Sequence, residues 1–293
     1  MSEDSAGSPL PNGGYAPAWN WALGATALVL TLYALTLAPT TQFWDTSEYI
    51  ATSHILGIPH PPGNPLFVLL GRTWEILLAP LGLSVAVRIN LFSAFMSAMA
   101  HGLWFLVVQR ILASFSKDRR FQLGGALAAV AVSATAFTVW NQSNVNEKVY
   151  TVSLFTIALI SWLIFYWRDH LEDGKDDNLL VLIVFILALS VGNHLMAFLA
   201  APAVLAFVLL VRPKALLNWR LYAWGALATV AGLSVHLFLP LRAALDPIIN
   251  EADPTCGSVG SATRQAAIHP ASSGKGSRPN FVFEPSAPGD VSE

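Results

Sequence analysis

Long apolar runs alternate with short polar connections along most of this chain. A helix that crosses a bilayer needs about 20 apolar residues. The runs 19–38, 86–112, 121–140, 149–167 and 219–239 reach that length. The stretch 178–211 is too long for one crossing: as a single helix it would measure about 51 Å, against a hydrocarbon core of about 30 Å. The polar triplet Gly192-Asn193-His194 lies at its middle and predicts two short helices, 178–191 and 195–211, turning there. The pattern therefore predicts seven spans.

The segment 66–81, "LFVLLGRTWEILLAPL", is a candidate for an eighth, and charge decides against it. Placed in the interface as an amphipathic helix, it leaves three basic loops on the cytoplasmic side. These hold Lys117, Arg119 and Arg120, then Arg168 and Lys175, then Arg212, Lys214 and Arg220. That satisfies the positive-inside rule, and an extra crossing would turn all three outside. The prediction is an all-α integral membrane protein: a polytopic bundle of about seven transmembrane helices, with an interfacial helix in the first external loop. Its N-terminus is cytoplasmic. Residues 1–18 form a disordered cytoplasmic tail, 19–242 the transmembrane domain with an external acidic loop at 39–85, and 243–293 a disordered or aberrant tail.

Composition agrees. The chain is 54% hydrophobic and 12% charged, against roughly 25% charged residues in ordinary soluble domains. A net charge of −2 gives no argument for a nucleic-acid partner. The single cysteine, Cys256, permits no disulfide within the chain. The polar start lacks the basic n-region of a secretory signal, so the run that follows reads as a retained anchor.

The candidate chemistry gathers on the external side. "FWDTSEYIATSHILGIPHPPGNP" (43–65) places Asp45 and Glu48 three apart, on one face of a helix if one forms. They are either solvated charges at a helix start or functional acids. Phe43, Trp44 and Tyr49 suit the interface level, and no basic residue is near in sequence. In "HPPGNP" the prolines stiffen the chain and Gly63 permits a turn. The segment is either a rigid connector or a preorganised wall that presents His60. Glu147 and Lys148 lie in a second external turn, and Asn193 and His194 in a third, where freed backbone groups favour a cavity lining. Arg242 follows the last span, either as an anchor or facing a phosphate. Arg88 could pair with Asp45 or Glu48, or bind phosphate. His101 and His236 are the apparent ionisable groups within spans that a transporter would want.

"FWDTSEYIATSHILGIPHPPGNPLFVLLGR", "RINLFSA", "NEKVYTVSLF", "GNHLM" and "LPLRAALDP" resemble successive blocks of the transmembrane protein 260-like family, which is of protein O-mannosyltransferase type, over roughly residues 19–255. That family belongs to the C-type (GT-C) glycosyltransferases. The resemblance implies a membrane glycosyltransferase that moves mannose or a similar sugar from a polyprenyl-phosphate donor to a hydroxyl acceptor, of protein or glycan, with inversion. It implies Asp45 as general base, with Glu48 orienting the acceptor or tuning Asp45. Trp44, His60, Asn193, His194, Glu147 and Arg242 are the candidates for donor or substrate contact. A divalent metal is used by some members and not others; Asp45, Glu48 and a histidine could hold one. The expected location is a bacterial inner membrane with the site facing the periplasm. From Cys256 onward the sequence is Gly/Ser/Pro-rich and departs from the family pattern, which suggests a truncation or frameshift near Thr255. The competing readings are a multi-pass lipid or small-molecule transporter and a non-catalytic membrane protein.

Overall fold

The structure is a computed structural model that describes residues 15–42, 45–144, 149–171 and 176–253. Trp44 and Glu147 lie outside the described residues. Within them all regular structure is helical, and the one extended pairing is an isolated parallel bridge between Ile58 and Asn250. The helices are α1 (Trp19–Leu35), α2 (Thr46–Ile55), α3 (Pro65–Leu77), α4 (Val85–Leu112), α5 (Arg119–Thr135) and α6 (Phe137–Asn144). They continue as α7 (Val149–Asp169), α8 (Asp176–Val191), α9 (Ala200–Val211), α10 (Trp219–Leu233) and α11 (Phe238–Ala243).

α4 is the hub, with α1, α5 and α7 packed around it. Small side chains make the close approach possible: Ala22 and Ala25 of α1 meet Ala94 and Ala98 of α4 and Ala126 of α5 in one buried cluster. A side chain at Gly102 would start 2.1 Å from the Thr26 hydroxyl, so α1 and α4 touch at backbone distance there. A second cluster joins Ile160, Ile164 and Trp167 of α7 to Leu180 and Ile183 of α8 and Val208 of α9. The outer faces are apolar: Leu28, Val132, Leu210 and Val230 are each more than two-thirds exposed. Such a surface suits lipid rather than water.

Among the described residues, three helical stretches are long and apolar enough to cross a membrane: Val85–Leu112, Val149–Asp169 and Trp219–Ala243. The α5–α6 pair makes a fourth if counted as one span. The remaining apolar segments, Trp19–Leu35, Asn178–Val191 and Leu195–Val211, are shorter helices. The expected straight span over 121–140 is instead bent by 63°. Ala136 leaves the helical region there (ψ 127°). The Tyr33 hydroxyl donates to the Ala134 carbonyl at 3.0 Å, so the carbonyl at the break keeps a partner inside the bundle. The turn between α8 and α9 falls at Gly192-Asn193-His194, where the pattern predicts it. The segment 66–81 forms α3 and a following 3-10 turn, burying Phe67, Val68 and Glu75 on one side and exposing Ile76 and Leu77.

Candidate active site

The acidic loop becomes a short helix with a rigid return. Asp45 is the N-cap residue of α2: its carbonyl accepts from the Tyr49 N–H at 3.0 Å. Its carboxylate makes no capping hydrogen bond and is 42% exposed. One turn on, Glu48 points at the loop after α2. Its Oε1 accepts from the His60 backbone N–H at 2.5 Å, and its Oε2 lies 2.7 Å from His60 Nδ1. Both contacts fix the imidazole, and its Nε2 then lies 3.9 Å from Asp45 Oδ2. The Tyr49 ring meets the imidazole edge-on at 5.8 Å. The hydrogen bond that the ring gives to Glu48 raises the His60 pKa above its usual value; partial burial opposes this, and the charges of Glu48, Asp45 and Glu251 add to the rise.

The loop that carries His60 is clamped on two sides. On one side Ile58 pairs with the chain near Asn250: its N–H donates to the Ile249 carbonyl at 2.8 Å, and its carbonyl accepts from Glu251 N–H at 3.0 Å. Gly63 turns the loop at φ +88°, with Leu239 so close that a Cβ would sit 2.8 Å from its Cδ2. On the other side, buried Asn64 accepts from the Tyr49 hydroxyl at 3.1 Å and donates a short hydrogen bond to the Asn193 carbonyl. Asn193 in turn donates to the Val149 carbonyl and to Ser153 Oγ, each at 2.9 Å. The Leu66 N–H donates to the Gly192 carbonyl at 2.8 Å. The acidic loop and the α8–α9 turn, distant in sequence, are thus tied through Asn64.

Among the sequence candidates, Asp45, Glu48 and His60 come together and Asn193 supports them from behind. Arg242 reaches the far end of the same helix, donating from Nε to the Leu56 carbonyl at 2.6 Å and from Nη2 to the Ile55 carbonyl at 3.1 Å. It caps α2 rather than presenting those donors to a ligand. His194 Nδ1 accepts from the Met196 N–H at 3.1 Å and its ring packs on Tyr150. Arg88 does not pair with Asp45 or Glu48. It lies 3.1 Å from Glu75 Oε1, and its guanidinium also donates to the Glu75 carbonyl at 2.8 Å. His101 and His236 each have Nδ1 on a carbonyl of the preceding turn, at 2.7 Å from Ser97 O and 3.0 Å from Leu233 O. Tyr49, expected only at the interface level, and Asn64, which the pattern does not mark, are positioning residues. Their signal was faint: an asparagine after Gly63, in the left-handed conformation (φ 37°).

One oxygen from each acid and one imidazole nitrogen of His60 lie within 4.8 Å of one another. The set can accept a proton at Asp45, offer an N–H or positive charge at His60, or ligate a small divalent cation.

The family model described as the Protein O-mannosyl-transferase TMEM260 N-terminal domain matches residues 45–217. The mouse Protein O-mannosyl-transferase TMEM260 is 30% identical over 221 residues, which cover 75% of this chain and 30% of the mouse protein. The Dictyostelium discoideum Protein O-mannosyl-transferase tmem260 is 22% identical over 218 residues, covering 71% of this chain and 26% of that protein. The chain thus spans under a third of the length of either relative. No solved structure matches. The matched region begins at Asp45 itself and takes in α2, the His60 loop and the Asn193 turn, so the chain belongs to the family defined by the TMEM260 N-terminal domain.

Proposed function

We propose that this chain forms the catalytic membrane portion of a protein O-mannosyltransferase that moves mannose, or a similar sugar, from a polyprenyl-phosphate donor to a hydroxyl group of a protein. The observation that carries this reading is the Asp45 carboxylate: half-exposed, making no capping hydrogen bond, and beside the Glu48–His60 pair. An acceptor hydroxyl oxygen attacks the anomeric carbon while Asp45 takes its proton, a role for which a carboxylate in reach of the hydroxyl is suited. The bond from the anomeric carbon to the phosphate oxygen breaks, and its electron pair leaves with the polyprenyl phosphate. Attack opposite the leaving group inverts the anomeric centre.

In this reading Glu48 works through His60. It accepts from the His60 backbone N–H with one oxygen and meets the ring Nδ1 with the other, which favours the charged ring, so that Nε2–H faces the space Asp45 borders, where phosphate charge develops. Asn193 and Arg242 position the loop and α2, and His194, Trp44 and Glu147 are assigned to substrate contact. With His60 neutral instead, Asp45, Glu48 and a ring nitrogen of His60 would hold a divalent cation; bound there, it would replace the imidazolium as the positive charge at the phosphate. A GT-C-like bundle of seven spans, in a bacterial inner membrane with the site facing the periplasm, completes the proposal.

The test is donor turnover. Membranes holding the chain, or its Asp45→Asn variant, are incubated with labelled polyprenyl-phosphate mannose, and sugar transfer to protein is followed. Turnover by the parent and none by an equally abundant variant supports the reading; equal rates rule out Asp45 as base. Metal content of the purified parent and of Asp45→Asn tests the cation separately.

A further inference from the structure

The bend at Ala136 turns α6 by 63° from the line of α5. Among the described residues, α6, the first turns of α7 and Met196 line a groove of about 390 Å³. That lies within the roughly 300–1,000 Å³ of ligand pockets. Val139, Tyr150, Leu154 and Met196 give it apolar walls, and a methionine adapts to side chains of different shape. Ser143 is already engaged: its Oγ lies 2.8 Å from Ser97 Oγ and 2.6 Å from the Val139 carbonyl. Gln142, also in the wall, differs. Its carboxamide oxygen is buried without a hydrogen-bond partner, and the last torsion of a glutamine is broad, so the carboxamide can turn either end to the groove.

The groove shares a wall with the candidate site. Helical period places Val149, Val152 and Ser153 on one face of α7 and Tyr150, Thr151 and Leu154 on the opposite one. The first face packs with Tyr49 and receives Asn193, whereas the second lines the groove. The Tyr150 ring also packs on His194 at 5.1 Å, and Met196 N–H donates to His194 Nδ1. One helix diameter, about 10 Å, thus separates the groove from Tyr49, and Asp45 lies about one further turn, roughly 5 Å, away. An extended chain advances about 3.3 Å per residue, so about five residues cover that path.

From this groove, its unpartnered carboxamide and its place behind the candidate site, we infer that it holds an apolar side chain of the acceptor polypeptide, about five residues from the modified hydroxyl. Gln142 then pairs with the polypeptide backbone. A polyprenyl chain would also suit the apolar walls, but it offers Gln142 no hydrogen bond, and a buried polar group left unpaired is destabilising. A peptide unit offers a donor and an acceptor together, as a carboxamide does. The inference rests on the sugar-transfer reading and adds to it the feature by which a protein acceptor is chosen.

The full chain, purified in detergent, is titrated into a fluorescent peptide that carries one threonine with leucines about five residues to either side. Binding is read as anisotropy, with no sugar donor present. The expected result is saturable binding. Replacing the peptide's leucines by aspartates should weaken it by about tenfold or more, a change that leaves the folding of the protein untouched. Gln142→Leu, which keeps the wall apolar, should weaken it by about tenfold. Val132→Ala, on the exposed outer face of α5, should leave it unchanged. Excess polyprenyl phosphate should not displace the peptide. Equal binding of the two peptides, or undiminished binding by Gln142→Leu, overturns the inference. Displacement by polyprenyl phosphate assigns the groove to a lipid chain and overturns it as well. The thermal midpoint of each variant, measured alongside, separates lost binding from lost folding. Because the assay reads no transfer, its failure in a chain that transfers mannose sinks the groove alone, and binding by a chain that transfers none removes the transfer reading instead.

Discussion

The short helix α2 serves two carboxylate–histidine clusters, and they are built in opposite ways. At its start, Asp45 and Glu48 share one imidazole, His60, so acids outnumber cations. Near its end, one carboxylate is surrounded. Glu75, 3% exposed, accepts a short hydrogen bond from Arg72, lies 3.1 Å from Arg88 Nη2, and has His54 Nδ1 at 3.2 Å. The second cluster ties α2, α3 and α4 together. Burial works against ionising Glu75, but the hydrogen bonds from His54 and Arg72 and the Arg72 charge outweigh it, holding the carboxyl below its ordinary range. A carboxylate so stabilised is a poor proton acceptor. Asp45 is half-exposed and, among the described residues, forms an ion pair with the His60 imidazole alone. Saturation by cations thus separates Glu75 from Asp45, the base in the proposed reaction, although both lie within reach of a histidine.

The sharpest way to break this contrast is at Asp45. Asp45→Asn should cost about 10²–10⁴-fold in transfer, the range for loss of a general base. As it makes no capping bond, stability should move by less than about 0.5 kcal/mol, read as the thermal midpoint in detergent. Glu75→Ala should do the reverse, lowering stability by about 3–5 kcal/mol because two guanidiniums lose their buried partner. A thermal midpoint shift as small as that of Asp45→Asn would remove the distinction.

Glu48→Gln tests the link between the acids. Removing its charge returns the His60 pKa toward the ordinary value, so the alkaline limb of the rate profile should move to lower pH. Transfer should fall by about tenfold, as one charge-assisted contact of about 1.5–3 kcal/mol is weakened rather than deleted. An unmoved limb would detach His60 from the reaction.

The smallest effect concerns pH and stability. His60 is raised in the folded chain, so its contribution is complete at low pH and is lost as pH rises through the folded value. Glu75 is lowered, so its contribution is present above the unfolded value and is lost as pH falls through the folded one. Thermal midpoints should therefore respond to His60→Gln more at low pH than at high pH, and to Glu75→Gln more at neutral than at acid pH. The same pH dependence for both would show that the clusters are alike.

Much of the outline was legible because hydrophobic pattern and local breakers are local signals. The turn at Gly192-Asn193-His194 follows from a polar triplet inside an overlong apolar run. The start of α3 follows from Pro65, whose fixed φ suits a first helical turn. The bend at Ala136 was not legible: no proline or glycine marks it, and the group that receives the freed carbonyl, Tyr33, comes from another helix. The role of Arg242 was hidden for the same reason, since its acceptors lie 186 and 187 residues earlier. A basic residue after a span reads as an anchor until the helix end it caps is placed beside it.

What the sequence determined by itself was the helical, lipid-facing character of the chain and the placing of two acids and a stiff histidine loop in one short segment. Apolar run length, proline stiffness and charge asymmetry act over a few residues and need no tertiary information. Only the tertiary structure decided which acid is saturated and which is open. Asp45, Glu48 and Glu75 are all carboxylates in the same forty residues; the sequence sets Arg72 three residues before Glu75, but it shows neither the further cations at Glu75 nor the imidazole at Glu48. Their difference arises when α4 brings Arg88 to Glu75 and the clamped loop brings His60 to Glu48, because the reactivity of a carboxylate depends on the charges and hydrogen bonds that surround it in space.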